Sequence, residues 1–304
     1  MKRSATLAAG VLLLSAAVPG GGRFSPAGRS PLPGSGAEQA VHPAPAVHPM
    51  QAGAESRPPH AASESIDLAP LFERHNVTGC MALYDMNAGR SMRYNAGRCA
   101  TRFLPASTFK IFNSLVALET GSIADEHTVI RWDSVDRHNP GWNQDMDMQT
   151  AFRRSAVWFY QELARRAGER RMKHFIVKEG YGNRNISGGI DRFWLTGRLR
   201  ISADEQIAFL RRLYLHRLAS FSERTMSIVN SIMLMEDTLG YRLRWKTGWG
   251  TQEGRQIGWI VGYLEKDGNV WFFALNFESR DPKVDVPAVR MDILRSALRE
   301  LKLL

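Results

Sequence analysis

The chain has 304 residues, of which 44% are hydrophobic and 23% are charged, and its formal net charge at pH 7 is +10. These values are typical of a globular protein with one large domain or two small ones, and they exclude a chain that is disordered throughout. The positive charge suits nucleic acid or an anionic envelope surface. No nucleic-acid motif accompanies it, however, so we expect solvated helix faces and no bound nucleic acid.

The N-terminus predicts export. Residues 1–3 are Met-Lys-Arg, residues 5–18 form an apolar run too short to cross a bilayer comfortably, and Ser15 to Ala17 offers small residues for cleavage. We therefore predict a signal peptide over residues 1–17 and a location in the periplasm; an uncleaved anchor is the alternative. No later segment is long and apolar enough for a membrane helix, so no integral membrane segment is expected after cleavage.

A flexible tether is predicted to follow. Residues 18–63 are rich in Pro, Gly and Ala, which cannot bury a core, and they should be disordered. The folded domain then covers residues 64–304.

The folded domain is predicted to have strands at both ends and helices between them. Alternating apolar residues and turn signals such as Gly89 predict strands near the N-terminal end, and a hairpin is expected near the C-terminal end. The predicted helices are 66–75, 107–120, 147–167, 169–179, 202–216, 222–234 and 286–301, and the predicted strands are 78–84, 92–94, 243–248, 256–265 and 269–277. This order predicts a mixed α/β fold, with one antiparallel sheet built from both termini and a helical subdomain from the middle.

Two cysteines flank the first predicted hairpin. Cys80 and Cys99 fit an exported protein with at most one disulfide, and two buried free thiols are the alternative. Neither lies in a metal-ligand spacing, so no metal is expected.

One short motif predicts nucleophilic catalysis. Residues 105–110 read Pro-Ala-Ser-Thr-Phe-Lys, which puts the hydroxyl of Ser107 and the amine of Lys110 on one helical face, one turn apart. A lysine beside the apolar run that follows is costly to bury as a cation, so its amine should lose its proton easily. By itself the motif also fits a helix cap followed by a surface lysine.

Three further motifs follow in order. Ser155-Ala156-Val157 lies in the helical region, Tyr181-Gly182-Asn183 lies in a loop, and Lys246-Thr247-Gly248 lies on a late strand. Each is common alone, but their joint appearance after residues 105–110 is not.

With these four motifs the chain resembles the class D serine β-lactamases, the oxacillinase type, from about residue 65 to the C-terminus. The resemblance includes residues 193–195, Phe-Trp-Leu, and 200–202, Arg-Ile-Ser. Valine at position 157, where related penicillin-recognising proteins usually have asparagine, favours class D. The resemblance implies the serine β-lactamase and transpeptidase fold, an active site between the sheet and the helices, and hydrolysis of penicillins, with other β-lactams left open as substrates.

The resemblance also assigns roles. Ser107 is the expected nucleophile and Ser155 the proton relay to the leaving nitrogen. The amides of Ser107 and Trp249 are expected to form the oxyanion hole, and Lys246, Thr247 and Gly248 to bind substrate. Tyr181 and Asn183 are expected to shape the loop beside the site.

For Lys110 the family implies a carbamate, N6-carboxylysine, formed with carbon dioxide and acting as the general base in acylation and deacylation. No other cofactor is expected. A dry pocket of Phe109, Val157, Trp194 and Leu195 would keep the amine neutral, and the Trp194 indole can donate to a carbamate oxygen.

One departure concerns the substrate carboxylate. The family usually has a late arginine that holds it, and the register of the last helix puts Val286 near that place, flanked by Arg280 and Arg290. We therefore expect Lys246 and Thr247 to carry carboxylate recognition. Two other functions stay open: a penicillin-binding sensor or transpeptidase-like protein that acylates without turnover, and a catalytically silent, basic envelope-binding protein.

Overall fold

The computed structural model describes residues 63–304. The predicted signal peptide, residues 1–17, lies outside the described residues, and so does the predicted tether except for Ser63. Both stay predictions.

Within residues 63–304 the strands form one sheet in the order β1-β3-β2-β7-β6-β5-β4. The strands are β1 (Glu64–Ser65), β2 (Thr78–Asp85), β3 (Arg90–Tyr94), β4 (Leu234–Asp237), β5 (Arg242–Gln252), β6 (Arg255–Lys266) and β7 (Asn269–Ser279). Neighbouring strands run antiparallel except β1, which is parallel to β3. The pairing of β2 with β7 joins the two ends of the chain, which confirms the predicted mixed α/β fold.

Most of the helices lie between the N-terminal and C-terminal groups of strands, one lies between β1 and β2, and one follows β7. They are α1 (Ala69–Glu73), α2 (Ala96–Ala100), α3 (Lys110–Glu119), α4 (Met148–Arg153), α5 (Val157–Ala167), α6 (Glu169–Lys178), α7 (Ala203–Tyr214), α8 (Glu223–Ile232) and α9 (Val286–Glu300). A 3-10 turn over Ala106–Phe109 leads directly into α3.

The two faces of the sheet bury different cores, because side chains alternate along a strand. On β6, Trp259 and Val261 point into the core shared with the helical subdomain, whereas Ile260 and Leu264 point into the core covered by α1 and α9. The near-continuous apolar sequence of β6 and β7 therefore reflects strands that are buried on both sides.

The helix α3 lies inside the helical subdomain. Every residue from Lys110 to Leu118 is buried, and α3 packs against α5 and α8. A helix buried all round is hydrophobic all round, as the sequence of α3 largely is. Its N-terminus, which carries Ser107 and Lys110, meets β5. The Ser107–Lys110 motif is thus held between the sheet and the helices.

Several predicted boundaries were wrong. The predicted helix 147–167 is two helices, because the backbone turns at Ser155, whose φ is +54°. The predicted helix 107–120 begins as the 3-10 turn, and the predicted helix 66–75 shrinks to α1, which Pro70 starts at its first turn. The short strands β1 and β4 were missed.

The two cysteines are free thiols in this structure, and both are buried. The Cys99 thiol donates to the carbonyl of Tyr94 at 3.4 Å. No helix within residues 63–304 is long and apolar enough to cross a membrane.

Candidate active site

Ser107 and Lys110 meet at the junction of the 3-10 turn and α3. Residues three apart in a 3-10 turn lie almost directly above one another, so the two side chains share one face. The Lys110 amine donates to the Ser107 hydroxyl with Nζ 2.6 Å from Oγ, and both residues are buried. Ala106, just before the serine, has a φ of +47°, in the left-handed region that costs a non-glycine residue energy. The turn therefore holds a hydroxyl and an amine in direct contact.

The surroundings of Lys110 are dry. The residue is fully buried, and burial lowers the pKa of its amine from 10.5 to about 7. The ring of Phe109 stacks on Trp194 with centroids 5.2 Å apart, and the Tyr160 ring lies 5.4 Å from Nζ. Near neutral pH a substantial fraction of this amine is unprotonated, which an ordinary surface lysine would not be.

Trp194 offers an unused hydrogen-bond donor. Its indole N–H is buried and has no acceptor among residues 63–304. Buried donors without a partner are rare and costly, so such a group marks a place where an acceptor is expected. Leu195, beside it, is half-buried and packs on the same hydrophobic core.

Ser155 and Lys246 are brought together from distant parts of the chain. Ser155 lies in the turn between α4 and α5, and its Oγ accepts from the Lys246 amine at 3.0 Å. Lys246 is buried, and its pKa lies well below the usual value, chiefly because of burial and then because of the positive charges of Lys110 and Arg290. The arrangement links a hydroxyl to an amine that can exchange protons with it.

The strand β5 packs against the turn that carries Ser107. A Cβ added to Gly248 would lie 2.9 Å from the Pro105 carbonyl oxygen and 3.1 Å from Cγ2 of Thr108. The missing side chain thus makes room for the turn that carries Ser107, and the expected role of Gly248 beside the substrate stays a prediction. Trp249, the next residue, is 52% exposed, and its indole donates to Oε1 of Gln256 at 3.0 Å.

The sequence left open which residue takes the place of the late arginine, and the structure brings Arg290 next to β5. From α9 its Nη1 donates to the Gly248 carbonyl at 3.3 Å, its Nε is buried and has no acceptor in the described part of the chain, and burial lowers its pKa to about 10. Val286 is buried in the core under the sheet, and Arg280 is exposed. The four-residue spacing from Val286 to Arg290, one helical turn, is the signal that could have found it.

The remaining predicted residues, Tyr181, Asn183 and Val157, belong to the loop and helix that pack near Phe109 and Ser155. Tyr181 is buried, and its ring meets that of Phe109 edge to face at 5.7 Å. Asn183 donates to the Arg198 carbonyl at 2.8 Å and accepts from the Arg200 amide at 3.1 Å, which fixes the loop. Val157 is half-buried at the first turn of α5. Within the described part of the chain, no three His, Cys, Asp or Glu side chains are grouped to hold a metal.

The sequence is similar to those of known proteins. Residues 74–296 match the family model of the penicillin-binding protein transpeptidase domain. The chain is 44% identical over 233 residues to β-lactamase OXA-48 of Klebsiella pneumoniae, which covers 77% of this chain and 87% of that protein.

Two solved structures are also similar. The class D β-lactamase YbXI from Nostoc is 47% identical with a TM-score of 0.75, over 79% of this chain and 100% of that one. The C-terminal domain of the Bacillus licheniformis BlaR penicillin-receptor is 30% identical with a TM-score of 0.76, over 81% of this chain and 99% of that domain.

Proposed function

Because the chain belongs to the class D serine β-lactamases, we propose that it hydrolyses the β-lactam amide of penicillins through an acyl-enzyme on Ser107. Other β-lactams stay open as substrates. The observation that carries the proposal is the 2.6 Å contact between Lys110 Nζ and Ser107 Oγ inside a dry pocket. A serine is a weak nucleophile unless a base is in reach of its proton, and here that base is built into the same turn.

In acylation, Ser107 Oγ attacks the β-lactam carbonyl carbon while its proton passes toward the Lys110 side chain. The backbone amides of Ser107 and Trp249 would hold the oxyanion that develops. This pairing is supported by the packing of β5 on the serine turn at Gly248. Removing one such donor typically costs ~3 kcal/mol of transition-state stabilisation.

The ring nitrogen leaves as an amine and needs a proton. Ser155 Oγ is the proposed donor, and Lys246 Nζ, 3.0 Å away, can return the proton to it. The lowered pKa of Lys246 makes this return easier than it would be from an ordinary lysine. The C–N bond of the ring is then broken, and the acyl group stays as an ester on Ser107.

Lys110 is the proposed general base of both steps, as N6-carboxylysine. Only a neutral amine reacts with carbon dioxide, and the pKa of about 7 makes the neutral amine available near neutral pH. The buried N–H of Trp194, which finds no acceptor within residues 63–304, and the ring of Phe109 stacked on its indole fit a carbamate. When bound, the carbamate would supply a carboxylate-like oxygen at Lys110 for the proton of Ser107 in acylation. That proton then passes to Lys246 Nζ, where it replaces the one given through Ser155 to the leaving nitrogen, and the oxygen is free again to take a proton from the hydrolytic water.

The substrate carboxylate would bind at the positive end of the site. Buried Lys246 and half-buried Arg290 bring two basic side chains to β5, and the Thr247 hydroxyl can donate to the same group. The proposal thus restores the arginine that the sequence argument had left without a position. Export to the periplasm also belongs to the proposal and rests on the N-terminal sequence.

Intact-protein mass spectrometry after mixing with a penicillin, followed over time, tests the proposal. We expect an adduct of the mass of the penicillin that appears and then decays while hydrolysed product accumulates. Ser107→Ala should form no adduct, whereas Ser227→Ala, on the exposed face of α8, should behave as wild type. An adduct that survives in the Ser107→Ala variant would refute the assignment of the nucleophile.

The similarity to the BlaR penicillin-receptor domain favours one other function, a sensor that acylates without turnover. A chromogenic cephalosporin separates the two. Steady hydrolysis over many equivalents supports the enzyme, and a stoichiometric burst without a steady state supports the sensor.

A further inference from the structure

The turn that carries Ser155 is strained, yet it contains no glycine. Ser155 has a φ of +54°, and it separates two helices that the sequence predicts as one. Backbone bonds from Ser155 N to Phe152 O at 3.2 Å and from Ala156 N to Ala151 O at 2.9 Å close the turn on its N-terminal side. A left-handed serine persists only where its surroundings hold it, so the contacts around this turn matter.

Two tryptophan indoles hold the same turn, Trp142 from the loop before α4 and Trp158 from the first turn of α5. The Trp142 indole donates to the carbonyl of Arg154, the residue just before Ser155, at 2.9 Å. The Trp158 indole, three residues after Ser155, donates to the carbonyl of Trp142 at 2.8 Å. The Arg154 guanidinium adds a third bond, from Nη1 to the Gly141 carbonyl at 2.9 Å. We call these three side chains the indole clasp.

The indole clasp ties both sides of Ser155 to one short segment, Gly141–Trp142. Trp158 is buried, so its bond to the Trp142 carbonyl is partly shielded from competing water, whereas the other two bonds are exposed. The direction of Ser155 Oγ toward Lys246 Nζ depends on the backbone that the clasp holds. Loss of a clasp bond would let the turn relax and move the hydroxyl off its proton-transfer geometry.

We propose that Trp142 and Trp158 are positioning residues for proton delivery by Ser155, an inference that rests on the proposed function and extends it. They act through the backbone of the turn and need not touch substrate. The clasp therefore serves acylation, in which the leaving nitrogen needs its proton, and leaves deacylation by the base at Lys110 unchanged.

Pre-steady-state kinetics with a chromogenic β-lactam tests this, because acylation and deacylation are measured separately. Trp142→Phe and Trp158→Phe each keep a large ring and lose the N–H, and each should slow acylation roughly five- to tenfold. Deacylation should stay at the wild-type rate. Trp132→Phe is the matched control, since the Trp132 indole donates to the Val135 carbonyl at 3.0 Å in the same loop but away from Ser155; it should acylate as wild type.

A double-mutant cycle excludes a merely structural role. On a Ser155→Ala background, Trp142→Phe should cause no further loss of acylation, because the group that it positions is gone. An equal loss in both backgrounds, or a loss in Trp132→Phe as large as in the clasp variants, would overturn the inference.

If the tryptophan variants do not fold, two surface variants test the role of the indole clasp instead. Arg154→Gln removes the exposed third bond, and Arg153→Gln removes the same charge one residue earlier. Slower acylation in the first alone supports the clasp, and equal rates in both overturn it. Wild-type turnover is checked first: its absence would refute the proposed function, whereas turnover with unaffected clasp variants would refute only the clasp.

Discussion

At the scale of single residues, the proposed chemistry depends on how the protein treats one lysine. Lys110 is fully buried at the start of α3, and burial alone brings the pKa of its amine to about 7. Because burying the charged ammonium costs free energy, burial favours the neutral amine. The same burial would be a defect in a protein that used this lysine only for structure.

Trp194→Phe tests the pocket around that lysine. The variant keeps a ring against Phe109 but removes the buried N–H, so we expect activity to fall about 10- to 100-fold and to recover in part with added bicarbonate. Steady-state rates measured across a bicarbonate titration check this. Trp271→Phe, on β7 at the other core, should show neither effect. Full activity of Trp194→Phe in bicarbonate-depleted buffer would count against a carbamate held by this indole.

Arg290→Ala tests the carboxylate site. Removal of this half-buried cation next to Lys246 should raise KM about tenfold or more, with a smaller effect on kcat, because the charge would bind substrate before the reaction begins. Arg280→Ala is the control, since that side chain is exposed. Equal KM values for the two variants would mean that Lys246 and Thr247 recognise the carboxylate alone.

The site could be predicted from sequence where short spacing fixes geometry. Ser107 and Lys110 are three residues apart, and any helical turn brings them together. Arg290 lies 42 residues beyond Gly248, and its place depends on how α9 crosses the sheet. No local pattern encodes that crossing, so the sequence alone left the arginine unassigned.

At the scale of elements, the contact between β5 and the serine turn sets the width of the site. Gly248→Ala would push a Cβ to 2.9 Å from the Pro105 carbonyl, so one element must move. We expect a loss of about 1–3 kcal/mol in the free energy of unfolding, by analogy with overpacked cores, together with a strong loss of acylation. Chemical denaturation and burst kinetics measure the two.

Gly240→Ala is the control for that prediction, because no atom lies within 4 Å of its added Cβ. It should change neither stability nor acylation beyond small surface effects. If Gly248→Ala matched it in both measurements, close packing at β5 would not limit the site.

The break between α4 and α5 shows why element boundaries were harder to predict than element types. Residues 147–167 have helical composition throughout and contain no proline or glycine, so the pattern favours one helix. The left-handed Ser155 ends α4, and tertiary bonds such as the one from Trp142 to the Arg154 carbonyl accompany it. A contact made by a loop some dozen residues away is not visible in local propensity.

At the scale of the whole molecule, the fold could be predicted because strand and helix patterns were strong at both ends. The apolar runs of β2, β6 and β7 predict strands of a sheet. These strands pair across the chain, which buries their apolar side chains. The edge strands β1 and β4 are short and carry polar residues, so they have no such signal. Their pairing depends on neighbours that only the folded protein supplies.

Buried Lys110 should also lower the stability of the whole molecule. Lys110→Met removes the charge and keeps the length of the side chain, so we expect a higher free energy of unfolding in carbon-dioxide-free buffer, by a few kcal/mol. Below about pH 7 both folded and unfolded wild type hold the proton, and the full cost is present. Between about pH 7 and pH 10.5 only the unfolded chain holds the Lys110 proton, so the free energy of unfolding of the wild type rises with pH toward that of the variant. Denaturation curves at several pH values measure the convergence; a difference that does not vary with pH would contradict the lowered pKa.

Carbon-13 NMR of protein equilibrated with labelled bicarbonate tests most directly whether Lys110 is unprotonated and carbamylated near neutral pH. We predict a carbamate resonance that is present in wild type and in Lys178→Ala, an exposed lysine on α6, and is absent in Lys110→Ala. The resonance should fade as the pH falls below about 7, because the amine then takes up a proton. An active enzyme with no Lys110-dependent carbamate, whose Lys110 amine titrates near 10.5, would contradict the account.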